Sequence, residues 1–322
     1  MNSNMTIFGL VLIILSGNMI TAKQIDSLYS NESDTCNFVI RWAFQDLCHF
    51  VFDPWIETDM WPTRAGEGVS FDPSMVKPGD IIFVRKAYIF FEKLHPLIKY
   101  PYILITGGEE RDRMAFLPTS YLDDPKIIAW FGIHPCEKKH AKYYPIPLGI
   151  LQEPKNYTDR TNLNNFMTSL RKNSVKDCLL YLNFNDPWRP ERVKVRSLFK
   201  DAGYCRVSEG KPFEEYLIEL AKSKFILSPP GCAPDCYRTW ESLLVGSIPI
   251  VIKSQLDNLF EGLPVLIIDK WEDINEQFLN EQYVGISQKK FDIKRLYMEY
   301  WQDKINLIRN QFLEKTNGDT NV

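Results

Sequence analysis

Arg238 and Glu241 stand three residues apart within residues 228–252, SPPGCAPDCYRTWESLLVGSIPIVI. At that spacing two side chains share one face of a helix. A guanidinium offers a fork of N–H donors that matches a diphosphate. A carboxylate one turn deeper accepts from paired hydroxyls such as those of a ribose. Hydrogen bonds to charged groups contribute about 1.5–3 kcal/mol each, so two such residues would decide a ligand's affinity. The competing use of the pair is an ion pair on a solvated helix face, which contributes little. Gly231 lets a ligand approach the backbone closely, and Ser228 ends the apolar run before it.

These residues need a frame to hold them. Residues 224–228 read as a buried strand, 235–245 as a helix and 248–252 as the next strand. Asp235 reads as the helix cap, and Gly246 with Pro249 as its end. A helix N-terminus presents unpaired N–H groups and a positive dipole end, which suit a phosphate. Trp240, Leu243 and Leu244 fall on the opposite face and read as core. Cys232 and Cys236 read as buried or bridged.

The wider chain repeats the pattern. Short continuous apolar runs at 80–84, 102–106 and 126–131 read as strands of a parallel sheet, with a helical segment at 87–99. Residues 144–150, YPIPLGI, are punctuation suited to a crossover. Beyond them, strands at 178–184 and 264–268 and helices at 190–200 and 212–223 extend a βαβ alternation. An apolar stripe predicts one long helix over 292–313. The resulting division is 1–22 as a targeting segment, 23–150 and 151–290 as two domains, and 291–322 as a C-terminal helix and tail.

The run at 228–252 is similar to the signature of exostosin-like glycosyltransferases, a Pro-Gly loop leading to an Arg-Thr-Trp-Glu-Ala-Leu helix, then Gly and Ile-Pro-Ile-Val. Ser242 stands where that family usually has Ala. The similarity extends to 145–149, PIPLG, and to Asn183 and Arg192, the latter reading equally as a solvated residue of a basic helix with Arg189, Lys194 and Arg196. It implies a GT-B-like α/β fold: two Rossmann-like domains facing across a cleft. The C-terminal helix, by its own length, could pack across both of them. The similarity further implies a nucleotide-sugar donor, typically UDP-linked, held on the C-terminal domain by Ser228, Gly231, Arg238, Glu241, Asn183 and Arg192. No metal or other cofactor is implied, because a helix dipole and basic side chains would offset the diphosphate. The acceptor would be a glycan or glycoprotein. A second reading of a different class is a non-catalytic binding module, or a partner subunit, that keeps the fold.

Inverting transfer needs a base for the acceptor hydroxyl. The loop after the second strand carries Glu109, Glu110 and Asp112, and His134 follows the third; these four are the candidates. A charged surface loop and a packed histidine are the plainer readings of the same residues. Trp55, Trp61 and Trp130 are candidates for stacking on sugars, or for core.

The 322-residue chain, 45% hydrophobic and 25% charged, has the material for substantial cores. A net charge of -3 argues against a nucleic-acid partner. Residues 5–16 form an apolar run shorter than the roughly 20 residues that span a bilayer. A cleaved signal peptide fits it, with an uncleaved short anchor as the route to a membrane. Seven cysteines and the sequons at Asn31 and Asn156 fit the lumen of the secretory pathway, ER or Golgi, or secretion. Cys36 and Cys48 are the expected local disulfide. Scattered histidines and no paired CxxC motifs leave no zinc signature.

Overall fold

The structure is a computed structural model that describes residues 29–30, 37–40, 43–54, 68–107, 119–136, 138–151, 157–184, 189–231 and 233–319. Two five-stranded sheets, each wholly parallel, organise it.

The first sheet contains β2 (Phe50–Phe52), β3 (Asp80–Val84), β4 (Tyr102–Thr106), β5 (Ile127–Gly132) and β6 (Tyr143–Pro145) in sequential order. Every residue of β3 and β4 is buried, which explains their unbroken apolar runs. Side chains alternate between the faces of a strand. Ile81, Phe83, Ile103, Ile105 and Phe131 therefore join the larger core. Ile82, Val84, Leu104 and Trp130 join a second core under α1 (Ala87–Lys93), against Phe90 and Phe91. Helix α1 is shorter than the expected 87–99. Proline has no N–H to continue the α-helical ladder, and around Pro96 the chain passes into a 3-10 turn, His95–Leu97.

The second sheet contains β7 (Cys178–Leu182), β8 (Cys205–Val207), β9 (Ser223–Leu227), β10 (Ile248–Ile252) and β11 (Leu266–Ile268), in the order β11-β10-β9-β7-β8. Helix α2 (Tyr157–Asn173) leads into it. Helices α3 (Pro190–Phe199), α4 (Phe213–Lys222) and α5 (Tyr237–Leu244) form its crossovers, and α6 (Glu276–Ser287) follows. The chain moves outward from β7 to β8, then returns to β9 on the other side of β7. Ligands in open α/β sheets bind outside the carboxyl ends of strands where the order reverses in this way. Here that point lies between Asn183, just past β7, and the loop after β9.

The two sheets and their crossovers give the expected GT-B-like α/β architecture. The chain termini interlock across it. Strand β1 (Tyr29–Ser30) pairs with β12 (Phe291–Asp292), Val39 N donates to Leu296 O, and Met298 N donates to Asn37 O. This pairing breaks the single helix expected over 292–313. A 3-10 turn at Ile293–Leu296 and an extended Tyr297, bridged to Phe38, precede α7 (Met298–Asp319). Helix α7 then returns to the first sheet, where Arg309 Nε donates to Gly79 O at 2.8 Å.

The expected Cys36–Cys48 bridge is corrected. Cys48 is a free thiol that donates to Phe44 O at 3.3 Å. Cys36 lies outside the described residues, as do both sequon asparagines and the whole targeting segment.

Candidate functional site

Five of the six expected donor residues meet, or closely back, one open cavity of about 470 Å³ at the switch point. Asn183, Arg192, Arg238 and Glu241 line it. Gly231 stands behind Arg192: a Cβ at 231 would lie 2.8 Å from Arg192 Nη2. The absence of a side chain there lets Arg192 pass close to the backbone, with its Nε donating to Pro230 O at 3.0 Å. Cys236 and Tyr237, at the start of α5, also line the cavity, so the positive end of that helix faces the same space.

Arg238 spans the two sides of the switch point. Its Nε donates to Asn183 O at 2.9 Å. Its Nη1 is buried and has no hydrogen-bond partner among the described residues. An orphaned buried donor on a charged group is costly, and here it belongs to a cavity-lining side chain. Phe184 organises the cations around it. Its buried ring lies under Arg238 at 5.3 Å, Arg196 at 5.5 Å and Arg192 at 5.9 Å. Lys211 adds another positive group to the lining.

Glu241 differs from the solvated-ion-pair alternative. It is 4% exposed, accepts from Leu151 N at 3.3 Å through Oε1 and from Tyr216 Oη at 2.9 Å through Oε2. Burial raises its pKa, while the Tyr216 and Leu151 hydrogen bonds and the Arg238 charge work the other way. Because it also lines the cavity, its remaining lone pairs can meet a ligand's hydroxyls.

Two expected roles are revised by their contacts. The Ser228 hydroxyl is buried within hydrogen-bond distance of Thr239 Oγ1 at 2.9 Å and Cys236 Sγ at 3.0 Å, tying the loop to α5 instead of lining the cavity. Asp235 does not cap the helix with its side chain. Cys236 occupies the cap position, with no side-chain capping bond. The Asp235 carboxylate accepts from Trp240 Nε1 at 2.8 and 2.9 Å and from Leu148 N at 2.9 Å. Burial pushes its pKa up to about 6.

On the acceptor side, His134 follows β5, and its carbonyl accepts from the Tyr143 hydroxyl. It does not line the cavity. Glu109, Glu110 and Asp112 lie outside the described residues, as do Trp55, Trp61 and Cys232. Trp130 is core: it is fully buried, with Nε1 donating to Thr106 Oγ1 at 2.9 Å.

Phe184, Lys211 and Tyr216 escaped the sequence reading. The sequence places Phe184 as the last residue of a strand over 178–184, whereas the strand ends at Leu182 and frees Phe184 to enter the switch point. Tyr216 fell on the apolar face of its helix, where only its hydroxyl departs from a core residue.

Two parallel sheets and a cationic cavity at the reversal point of the second define a GT-B-like α/β protein. The family model described as the RXYLT1 C-terminal domain matches residues 146–318, and the chain belongs to that glycosyltransferase family. A curated relative, ribitol-5-phosphate xylosyltransferase 1 of Danio rerio, is 24% identical over 221 residues. That match covers 62% of this chain and 46% of the relative, so the chain spans about half the relative's length. A solved structure titled "Crystal structure of GtfA/B complex" aligns with a TM-score of 0.35 and 11% identity, over 73% of this chain and 58% of that one.

Proposed function

We propose that the chain binds a nucleotide-sugar, UDP-linked, in the switch-point cavity and transfers its glycosyl group to a hydroxyl of an acceptor. The observation that carries this reading is the buried Nη1 of Arg238, without a partner among the described residues, in a cavity shared with Arg192, Lys211 and the start of α5. Such a set of donors suits a diphosphate, and the buried Glu241 carboxylate suits the ribose hydroxyls. The exostosin-like signature at 228–252 supports the same assignment. In this reading the cations and the helix end offset the diphosphate charge, with no metal ion or other cofactor required.

The name of the Danio rerio relative supports xylose as the transferred group and a ribitol 5-phosphate unit as the acceptor. We extend both to this chain, with a glycan or glycoprotein carrying the acceptor. The acceptor oxygen attacks the sugar carbon from the face opposite the diphosphate. The bond to the leaving phosphate oxygen breaks, and a base takes the acceptor proton. His134 and the loop carrying Glu109, Glu110 and Asp112 are the groups proposed for that role. The apolar N-terminal run and the sequons support a lumenal address in the secretory pathway.

A thermal-shift screen across UDP- and GDP-sugars, followed by a nucleotide-release assay with ribitol 5-phosphate acceptors, tests the reading. Stabilisation by a UDP-sugar with UDP release on adding acceptor supports it. Absence of binding by every nucleotide-sugar would sink it. Binding without turnover across an acceptor panel would favour the binding-module alternative.

A further inference from the structure

We infer that the Glu241–Leu151 contact couples occupancy of the cavity to the position of the interdomain crossover, with Asp235 and Leu148 as the fixed anchor. This rests on the proposed placement of the donor's ribose at Glu241.

One short helix, α5, carries or borders both carboxylates, and both hold backbone N–H groups of the same four-residue stretch. Asp235 holds Leu148 N at 2.9 Å; Glu241 holds Leu151 N at 3.3 Å. The two grips differ in what else they touch. Asp235 is 3% exposed, does not line the cavity, and has both oxygens engaged by Trp240. No ligand in the cavity reaches it. Glu241 lines the cavity together with Leu151 and Tyr216, and its bond to Leu151 is the longest of the set. Ligand hydroxyls that donate to the remaining lone pairs of Glu241 draw on the same carboxylate that holds Leu151 N–H, and the long Leu151 bond is the one that yields when the carboxylate turns toward them.

The stretch between the grips transmits any shift. Gly149 packs against Val39 so closely that a Cβ would stand 2.5 Å from Val39 O. Ile150 N donates to that same carbonyl at 3.1 Å. Upstream, Ile146 N donates to Gly132 O at 3.0 Å, at the end of β5. A continuous run of backbone contacts thus leads from the cavity to the carboxyl end of the first sheet, two residues from His134. Asp235 is a positioning residue in this scheme: it fixes one end of the crossover so that a change at Leu151 becomes a local tilt and not a general loosening.

Residue-resolved amide hydrogen exchange on the full chain, with UDP and GDP as probes, tests the inference. Allosteric couplings of ordinary size correspond to roughly 5- to 150-fold. Saturating nucleotide should therefore change Leu151 amide exchange by about fivefold or more, and Leu148 by less than about twofold. In Asp235→Asn, nucleotide affinity should stay within about threefold of wild type. The nucleotide-induced change should then spread from Leu151 to Leu148. Nucleotide that binds and leaves Leu151 exchange unchanged overturns the coupling while sparing the donor reading. A response in Asp235→Asn that stays confined to Leu151 overturns the anchor. Failure of both nucleotides to bind overturns the donor reading, and the inference with it. Should Asp235→Asn not fold, the wild-type response at Leu151 decides alone.

Discussion

The Arg238 guanidinium reaches across the switch point to the Asn183 carbonyl, 2.9 Å from its Nε, and leaves Nη1 buried without a partner among the described residues. One nitrogen is used by the fold and another remains for a ligand. Lysine cannot divide its single ammonium in this way. Arg238→Lys should therefore weaken UDP binding about as much as Arg238→Ala, by roughly 10- to 100-fold, the equivalent of a charge-assisted hydrogen bond. Isothermal titration gives the affinity, and circular dichroism confirms that both variants fold. Wild-type affinity in Arg238→Lys would remove the guanidinium fork from the site.

Glu241 combines binding and scaffolding, so its substitutions should not behave like those of a surface ion-pair residue. Glu241→Ala strands the half-buried Tyr216 hydroxyl, while Leu151, 38% exposed at the open cavity, keeps access to water for its N–H. Leaving a buried group unsatisfied costs about 1–3 kcal/mol. Glu241→Ala should therefore lower stability by about 1–2 kcal/mol, counting the Tyr216 hydroxyl alone. Glu241→Gln keeps an acceptor for one partner and should lose about half as much. Urea unfolding at neutral pH distinguishes the two. Equal stability of Glu241→Ala and wild type would mean that the carboxylate is solvated.

The legible parts of the fold were those decided locally. Strands β3, β4 and β10 appear at the predicted residues, because burial on both faces demands an unbroken apolar run and little else. The misread parts were decided at long range. Asp235 falls one residue before the cap position, which Cys236 holds, and its oxygens accept from Trp240 and the backbone of Leu148 instead of from the helix. The C-terminal stripe is helical in pattern, but pairing of Tyr297 with Phe38 interrupts it. In the site, the residues of one helix face were readable from spacing. Phe184 acts through three arginines from two different helices, and no local pattern encodes that arrangement.

Asp235 should also leave a signature in the pH dependence of stability. Burial pushes its carboxyl up to about 6, against about 3.9 in an unfolded chain. Between those values the folded state holds a proton that the unfolded state has released. Stability from this group is therefore full below about pH 4 and lost as pH rises to about 6, by roughly 3 kcal/mol in all. Asparagine has no such titration. The stability of wild type relative to Asp235→Asn should fall across pH 4–6 and level off above it. Glu241 is raised in the same direction, but it is present in both proteins and cancels. Urea midpoints at half-unit pH steps measure the difference; a flat curve would show that Asp235 ionises as a solvated carboxylate does.

Two glycines should separate binding from stability. At Gly231 an added methyl would meet only the far end of the Arg192 side chain, 2.8 Å away. That end can swing, so Gly231→Ala should fold with a melting temperature close to wild type. The cost should fall on the ligand, because Arg192 is displaced from its hydrogen bond to the Pro230 carbonyl. A roughly 10-fold loss of UDP affinity is expected, the value of one weakened charged contact. At Gly149 the backbone is left-handed, with φ +73°, and the added methyl would meet the Val39 carbonyl carbon and oxygen at 2.7 and 2.5 Å. Neither the φ nor the carbonyl can yield cheaply, because the same carbonyl accepts from Ile150 N. Gly149→Ala should therefore destabilise the chain by about 2–4 kcal/mol, from strain of about 1–3 kcal/mol together with the clash. Thermal melts and UDP titrations on both variants check the contrast. If Gly231→Ala instead lost stability and kept its affinity, Arg192 would be a structural arginine and the diphosphate would rest on Arg238, Lys211 and the start of α5.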